Sequence, residues 1–291
     1  MFQQCRKDLL LSLWDRKMRE IDVLSKEEQT RLRNLDEALS MLDELYFSIQ
    51  SKIRRVVPRM RQMQGKENAA RFKDVGLRLQ LLYQRLIDIE TSILGSAIAY
   101  YHVYYGPFRE SDSRNVEFDK TEGGKRDSAR VTSLFHAFAI EYSSILDIGL
   151  KLMLMAAHQT LSSKLRNVKS YGGFVLFAER NPRLHDEIEG DPLLSHWLRY
   201  EGLMTSIKNR RDLIVHRSIV PLHRSSNRTP SGYIEMEFWS PEVHRRDRDK
   251  FDVKKSIILR YNYFCRASLY GLFKVMNANL TELQKHLYSD G

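Results

Sequence analysis

The segment Arg210-Arg211-Asp212-Leu213-Ile214-Val215-His216-Arg217 sets fixed cations, a carboxylate and an imidazole within eight positions. Arginine stays charged across the physiological range and presents a fork of donors matched to phosphate oxygens. Histidine takes or gives a proton near neutrality. Together they suit phosphodiester chemistry, in which one group holds the phosphate while the other moves a proton. The apolar trio Leu213, Ile214 and Val215 is expected to pin this backbone into a core. Five residues of continuous helix turn the chain by about 500°, which leaves positions 211 and 216 about 140° apart. Either the segment bends at the motif, or a site built on it draws its groups from two copies of the chain. Asp212 would cap or orient, fixing the position or tautomer of a neighbouring group.

Arg211, Asp212 and His216 also stand where the R-[N/D/H]-x3-H signature of HEPN domains (higher eukaryotes and prokaryotes nucleotide-binding) has its defining residues, and the chain resembles that family over about residues 128–290. Arg210 fits the same spacing rule, but with Arg211 the polar residue falls in its proper place. The resemblance implies a dimer with two motifs at a shared cleft. It further implies metal-independent endoribonuclease activity: the ribose 2′-hydroxyl attacks the adjacent phosphate, leaving 2′,3′-cyclic phosphate and 5′-hydroxyl ends. Carried onto this chain, His216 transfers the proton and Arg211 holds the scissile phosphate and the charge that develops on it. Lys208, Asn209, Arg210 and Arg217 are the candidate phosphate contacts. Neither metal nor cofactor is expected. RNA, a second copy of the chain and an antitoxin or regulatory partner are, and the role implied is that of a toxin or host-defence effector. The alternative within the family is a non-catalytic nucleotide- or RNA-binding module or scaffold.

A plainer reading makes His216 a core histidine satisfied by a backbone carbonyl and Arg211 a partner of Asp186 or Glu201. A third reading is a coiled-coil adaptor with a basic surface. His136 and His158 read as structural or surface residues, and His185-Asp186-Glu187 has no second cluster at metal-ligand spacing. The mixed-sign run 244–250 reads as a solvated loop that could also grip an RNA backbone. Phosphate-binding glycine loops and a nucleophile elbow are missing, so nucleotide hydrolase, dinucleotide-binding and esterase readings have no support.

Composition agrees with a soluble polyanion binder. The chain has 291 residues, a formal net charge of +10, 42% hydrophobic and 29% charged residues. That surplus favours nucleic acid or an anionic surface without fixing a fold. Cys5 and Cys265 lie far apart, which argues against a disulfide framework or zinc site and for a reducing cytoplasm. The apolar stretch 145–157 contains Asp147 and Lys151 and falls short of the roughly 20 residues of a membrane span.

The elements that must position the motif read as all-α: an N-terminal antiparallel helical hairpin over 1–106, a linker over 107–127, and a C-terminal HEPN-like bundle over 128–291 with a small β insertion. Ser25 and Glu28 form a capping box. A heptad seam follows at Leu32, Leu35, Leu39, Leu42, Tyr46, Ile49, Ile53 and Val56, with Pro58 expected to end it. After a polar turn at Gly65, a second seam runs Phe72, Val75, Leu79, Leu82, Leu86, Ile89 and Ile93. The two seams pack within the chain or across a dimer. Residues 108–130 read as loop, and a buried helix starts near Asp127 or Ser128. Within it Glu141 sits at the edge of the apolar stripe or reaches an arginine. Shorter helices over 174–189 and from Asp191-Pro192 lead into the motif. Beyond it, 217–232 reads as loop, 233–239 as a strand with 218–222 a weak partner, and 253–287 as a final helix.

Overall fold

The computed structural model describes residues 23–104, 122–156, 159–217, 222–228, 234–243 and 251–288, some of them, including all three strands, by backbone alone. The fold is all-α. Its helices are α1 (Lys26–Arg33), α2 (Leu35–Gln64), α3 (Lys66–Tyr104), α4 (Glu122–Ala156), α5 (Gln159–Leu165), α6 (Tyr171–Arg180), α7 (Pro182–Gly190), α8 (Ser195–Arg199), α9 (Glu201–Arg217) and α10 (Tyr261–Tyr288). Between α9 and α10 lie strands β1 (Leu222–Arg228), β2 (Ile234–Val243) and β3 (Phe251–Arg260), antiparallel in the order β1-β2-β3. The chain divides into two compact units. One comprises Met1–Leu77, Ser144–Ser206 and Ala267–Gly291; the other comprises Arg78–Ser143 and Ile207–Arg266.

In the first unit, the Ser25–Glu28 capping box is complete, but it starts a short helix. Ser25 Oγ accepts from the Glu28 amide at 3.1 Å, and the Ser25 amide donates to Glu28 Oε2 at 2.8 Å. Asn34 interrupts the backbone and caps the long helix instead, accepting from the Asp36 and Glu37 amides. Pro58 does not end α2, which continues to Gln64. Both Pro58 and Arg54, whose carbonyl loses its amide partner, are exposed. The helix stops at Gly65, whose φ of +88° is open only to glycine without strain. Helix α3 then begins at the next residue, and its first turns pack against α2 within one chain. Gln50 Nε2 donates to the Gly76 carbonyl at 2.9 Å, and a Cβ on Gly76 would meet Ile53 Cδ1 at 3.2 Å. Leu32, Leu42, Ile49, Ile53 and Val56 of the first seam are buried, as are all described members of the second.

Helix α10 closes this unit against α1 and α2. Lys52 Nζ donates to Asn277 Oδ1 and to Thr281 Oγ1, each at 2.6 Å, and Lys274 Nζ to Glu28 Oε1 at 2.6 Å. Trp197 fills the interior of the same unit. Its ring edge lies where a Cβ on Gly149 would come within 3.1 Å, and its carbonyl accepts from the buried Tyr171 hydroxyl at 2.9 Å. With the Asn279 amide oriented to satisfy both neighbours, it accepts from Trp197 Nε1 and donates to the Leu193 carbonyl. Asp147, which breaks the apolar stripe of α4, accepts from the Tyr171 amide at 2.7 Å at the start of α6. Pro182 opens α7, as a proline fits the first helical turn.

Three further expectations are corrected. Helix α4 starts at Glu122 and runs through Gly123-Gly124, so the loop expected over 108–130 does not extend past 121; residues 105–121 lie outside those described. The loop expected over 217–232 contains β1 at Leu222–Arg228, paired with β2 from Leu222↔Trp239 to Arg228↔Ile234. The last helix begins at Tyr261 rather than Val253. The residues before it, among them the β-branched Val253, Ile257 and Ile258, form β3.

Candidate functional site

Helix α9 runs unbroken from Glu201 to Arg217, so the segment does not bend at the motif. Positions 211 and 216 therefore stand about 140° apart around one helix. The side chains of Leu213, Ile214, His216 and Arg217 lie outside those described, and so do residues 1–22, 157–158 with His158, and the charged run 244–250.

Lys208, Arg211, Asp212 and Val215 follow one another at i, i+3, i+4 and i+7, the spacing of a single helix face. Along it, exposure rises from the buried Lys208 to Val215, which is 50% exposed. Val215 thus belongs to an open face and does not help pin the backbone into a core, contrary to the expectation for the apolar trio. On that face the Asp212 carboxylate joins two cations. Lys208 Nζ donates to Oδ2 at 2.8 Å, and Arg211 Nη1 donates to Oδ1 at 2.7 Å. Lys208 is 5% exposed, so it is a counter-ion inside the protein rather than a surface contact. Arg211 keeps 24% of its side chain open. Its carboxylate partner is the adjacent Asp212, while Glu201 accepts from Thr205 Oγ1 at 2.8 Å.

Arg210 points elsewhere. It is buried, and its guanidinium lies 4.6 Å from the ring centroid of Phe264, in the first turn of α10. A planar, weakly hydrated cation suits such stacking. Two residues further on, Arg266 is buried and donates from Nε and Nη2 to Glu90 of α3 at 2.6 and 3.0 Å. Arg78 of α3 meets Glu141 of α4 at 3.1 Å, so this carboxylate reaches an arginine. The second unit thus ties α3 to α4, α3 to α10 and α10 to α9 through cations. Asn209 is half-buried. The i, i+4 spacing of Lys208 and Asp212 is the signal that could have marked them as a pair rather than Lys208 as a phosphate contact; Phe264, Glu90 and Arg266 leave no such signal, because nothing local announces a contact across 54 or 176 positions.

His136 on α4 has a buried Nε2 with no hydrogen-bond partner among the described residues, and burial pushes its pKa down, which favours the neutral ring. In the first unit, His185, Asp186 and Glu189 bring ligand-type atoms within 4.8 Å of one another, with both carboxylates exposed. His185 Nδ1 lies 3.9 Å from Glu189 Oε2. Exposed acidic groups often gather in this way without an ion. Cys265 is fully buried. Among the described residues, no helix is long and apolar enough to cross a membrane.

Comparison with family models, with curated proteins and with solved structures finds no match for this chain.

Proposed function

We propose that this chain is a HEPN-like, metal-independent endoribonuclease that acts as a homodimer on RNA in a reducing cytoplasm, as a toxin or host-defence effector. The observation that carries this reading is Arg211. It is a partly open guanidinium that Asp212 engages through Nη1, on a helix face where a buried lysine neutralises that carboxylate. An arginine held this way keeps donors for phosphate oxygens. Because α9 is continuous, positions 211 and 216 of one copy stand on different flanks of the helix. Their cooperation across a two-fold axis, where the same patch serves both subunits, follows naturally. The net charge of +10 favours RNA as the polyanion.

Chemically, His216 takes the proton of the 2′-hydroxyl as the oxygen attacks phosphorus, and Arg211 stabilises the charge on the non-bridging oxygens. The 5′-oxygen leaves with the proton that His216 has taken up, and the attacked phosphate becomes the 2′,3′-cyclic diester. The test is incubation of tRNA and mRNA with wild type and His216→Ala in excess EDTA, followed by end-group analysis. Cleavage that survives EDTA, leaves cyclic phosphate and disappears in the folded variant is expected. Undiminished cleavage by His216→Ala would place the site elsewhere.

The 30- and 39-residue helices α2 and α3 favour a second reading, a non-catalytic HEPN scaffold. It predicts RNA binding or partner assembly with no cleavage by either protein.

A further inference from the structure

The charges of α2 are sorted along its length. From Leu35 to Glu44 it carries Asp36, Glu37, Asp43 and Glu44 and no cation; from Leu45 to Gln64 it carries Lys52, Arg54, Arg55, Arg59 and Arg61 and no acid. The helix dipole accounts for the ends, Asp36 and Glu37 in the first turn and Arg61 in the last, because its reach is about one turn. It does not account for Glu44, nine residues after Leu35, or Arg55, nine before Gln64. Both are exposed, and among the described residues neither side chain has a hydrogen-bond or ion-pair partner. From Glu44 to Arg55 the helix turns by about 1100°, so the two stand about 20° apart, on one flank. Asp43 and Arg54 share the other flank by the same spacing. Between the flanks run Ser40, Phe47, Ser51 and Pro58, all exposed, and Phe47, near the middle of the helix, is 66% exposed.

A partner for this face must be basic opposite the acidic half, acidic opposite the basic half and apolar at the centre. A nucleic-acid backbone fits the basic half alone, because Asp43 and Glu44 repel phosphate. A second α2 laid antiparallel meets all three conditions. We propose that the exposed face of α2 is a self-complementary dimer surface, on which two copies pack antiparallel about a two-fold axis at the level of Ile49 and Gln50. Each Glu44 then faces the partner's Arg55, and the two Phe47 rings fill the centre. The charges themselves place the axis, since the midpoint between positions 44 and 55 is also the midpoint of α2. It sets the two Phe47 residues about 7 Å apart along the helices, close enough for their rings to meet. Asp43 also interacts within its own chain, so the Glu44–Arg55 pair carries the test. Exposed ion pairs add little affinity each but fix orientation and register, so the dimer is salt-sensitive. This surface deepens the homodimer of the reading above and rests on that reading for the two copies alone.

The experiment is a charge-swap cycle of wild type, Glu44→Arg, Arg55→Glu and the double swap, all at exposed positions and each checked for folding by circular dichroism. Sedimentation velocity at low and high salt reads the dimer dissociation constant, and RNA cleavage in EDTA is assayed on the same samples. Each single swap turns two attractive contacts repulsive and should weaken the dimer by about tenfold. The double swap restores opposite charges across the axis and should return to within about threefold of wild type. The two single variants, mixed, should form heterodimers in preference to either homodimer. Phe47→Ser should weaken the dimer at both salt concentrations. Single swaps that dimerise like wild type overturn the proposal, and so does a double swap as weak as the singles. A monomeric wild type overturns it too, and RNA binding lost in Arg55→Glu would then assign the basic half to RNA. A dimer that obeys the swaps but cuts no RNA removes the nuclease reading and keeps this surface. Cleavage by a dimer indifferent to every swap keeps the nuclease and removes this surface.

Discussion

Arg210 and Arg211 are neighbours in sequence with opposite fates. Arg210 is buried over Phe264, and Arg211 shares Asp212 with Lys208 on a partly open face. A helix turns about 100° per residue, so two adjacent arginines cannot both line one site. The stacked one is a packing residue, and its replacement by alanine should cost stability through lost contact as well as lost charge. Asp212→Ala leaves the enclosed Lys208 ammonium without its carboxylate. A loss on the order of 3 kcal/mol in denaturant unfolding is expected. Arg211→Ala, at a quarter-open position, should cost no more than about 1 kcal/mol. Equal losses for the two variants would show that Lys208 finds another acceptor.

At the level of elements, helix periodicity was the part of the fold that the sequence displayed best. The seams of α2 and α3 are visible because each buries a repeating stripe, and the Gly65 turn because its backbone needs a positive φ. Boundaries were less legible. Pro58 looked like a stop, but it stands at an exposed position and α2 runs on to Gln64; Gly123-Gly124 looked like a linker, but lies inside α4. The pairings that hold the elements together, Glu28 with Lys274 or Glu90 with Arg266, span most of the chain and leave no local trace.

The docking of α1 onto α10 carries a pH dependence. Burial pushes the Glu28 carboxyl up, but hydrogen bonds from Lys274, the Ser25 amide and Tyr270 outweigh it and hold its pKa below the ordinary 4.5. A carboxyl depressed on folding adds stability that is present above its unfolded pKa and lost as pH falls through the folded one. Thermal melts from roughly pH 6 to pH 3 should therefore show wild type more stable than Glu28→Gln at the upper end, with the gap closing below 4.5. A gap that persists into acid would mean that the pairing is not ionic. In the same unit, Trp197 is fully buried, and Trp197→Ala should lower stability by about 3–5 kcal/mol.

For the whole molecule, the continuity of α9 is the constraint that matters. A single copy presents positions 211 and 216 on separate flanks, so the proposed nuclease needs two copies to complete a site. The direct measurement mixes separately purified Arg211→Ala and His216→Ala, allows subunit exchange, and assays RNA cleavage in EDTA. Each variant alone should be inactive. A random mixture holds half heterodimers, each with one intact composite site, so about a quarter of wild-type activity should return. A mixture as inactive as its components, with exchange confirmed, would contradict a site shared between copies.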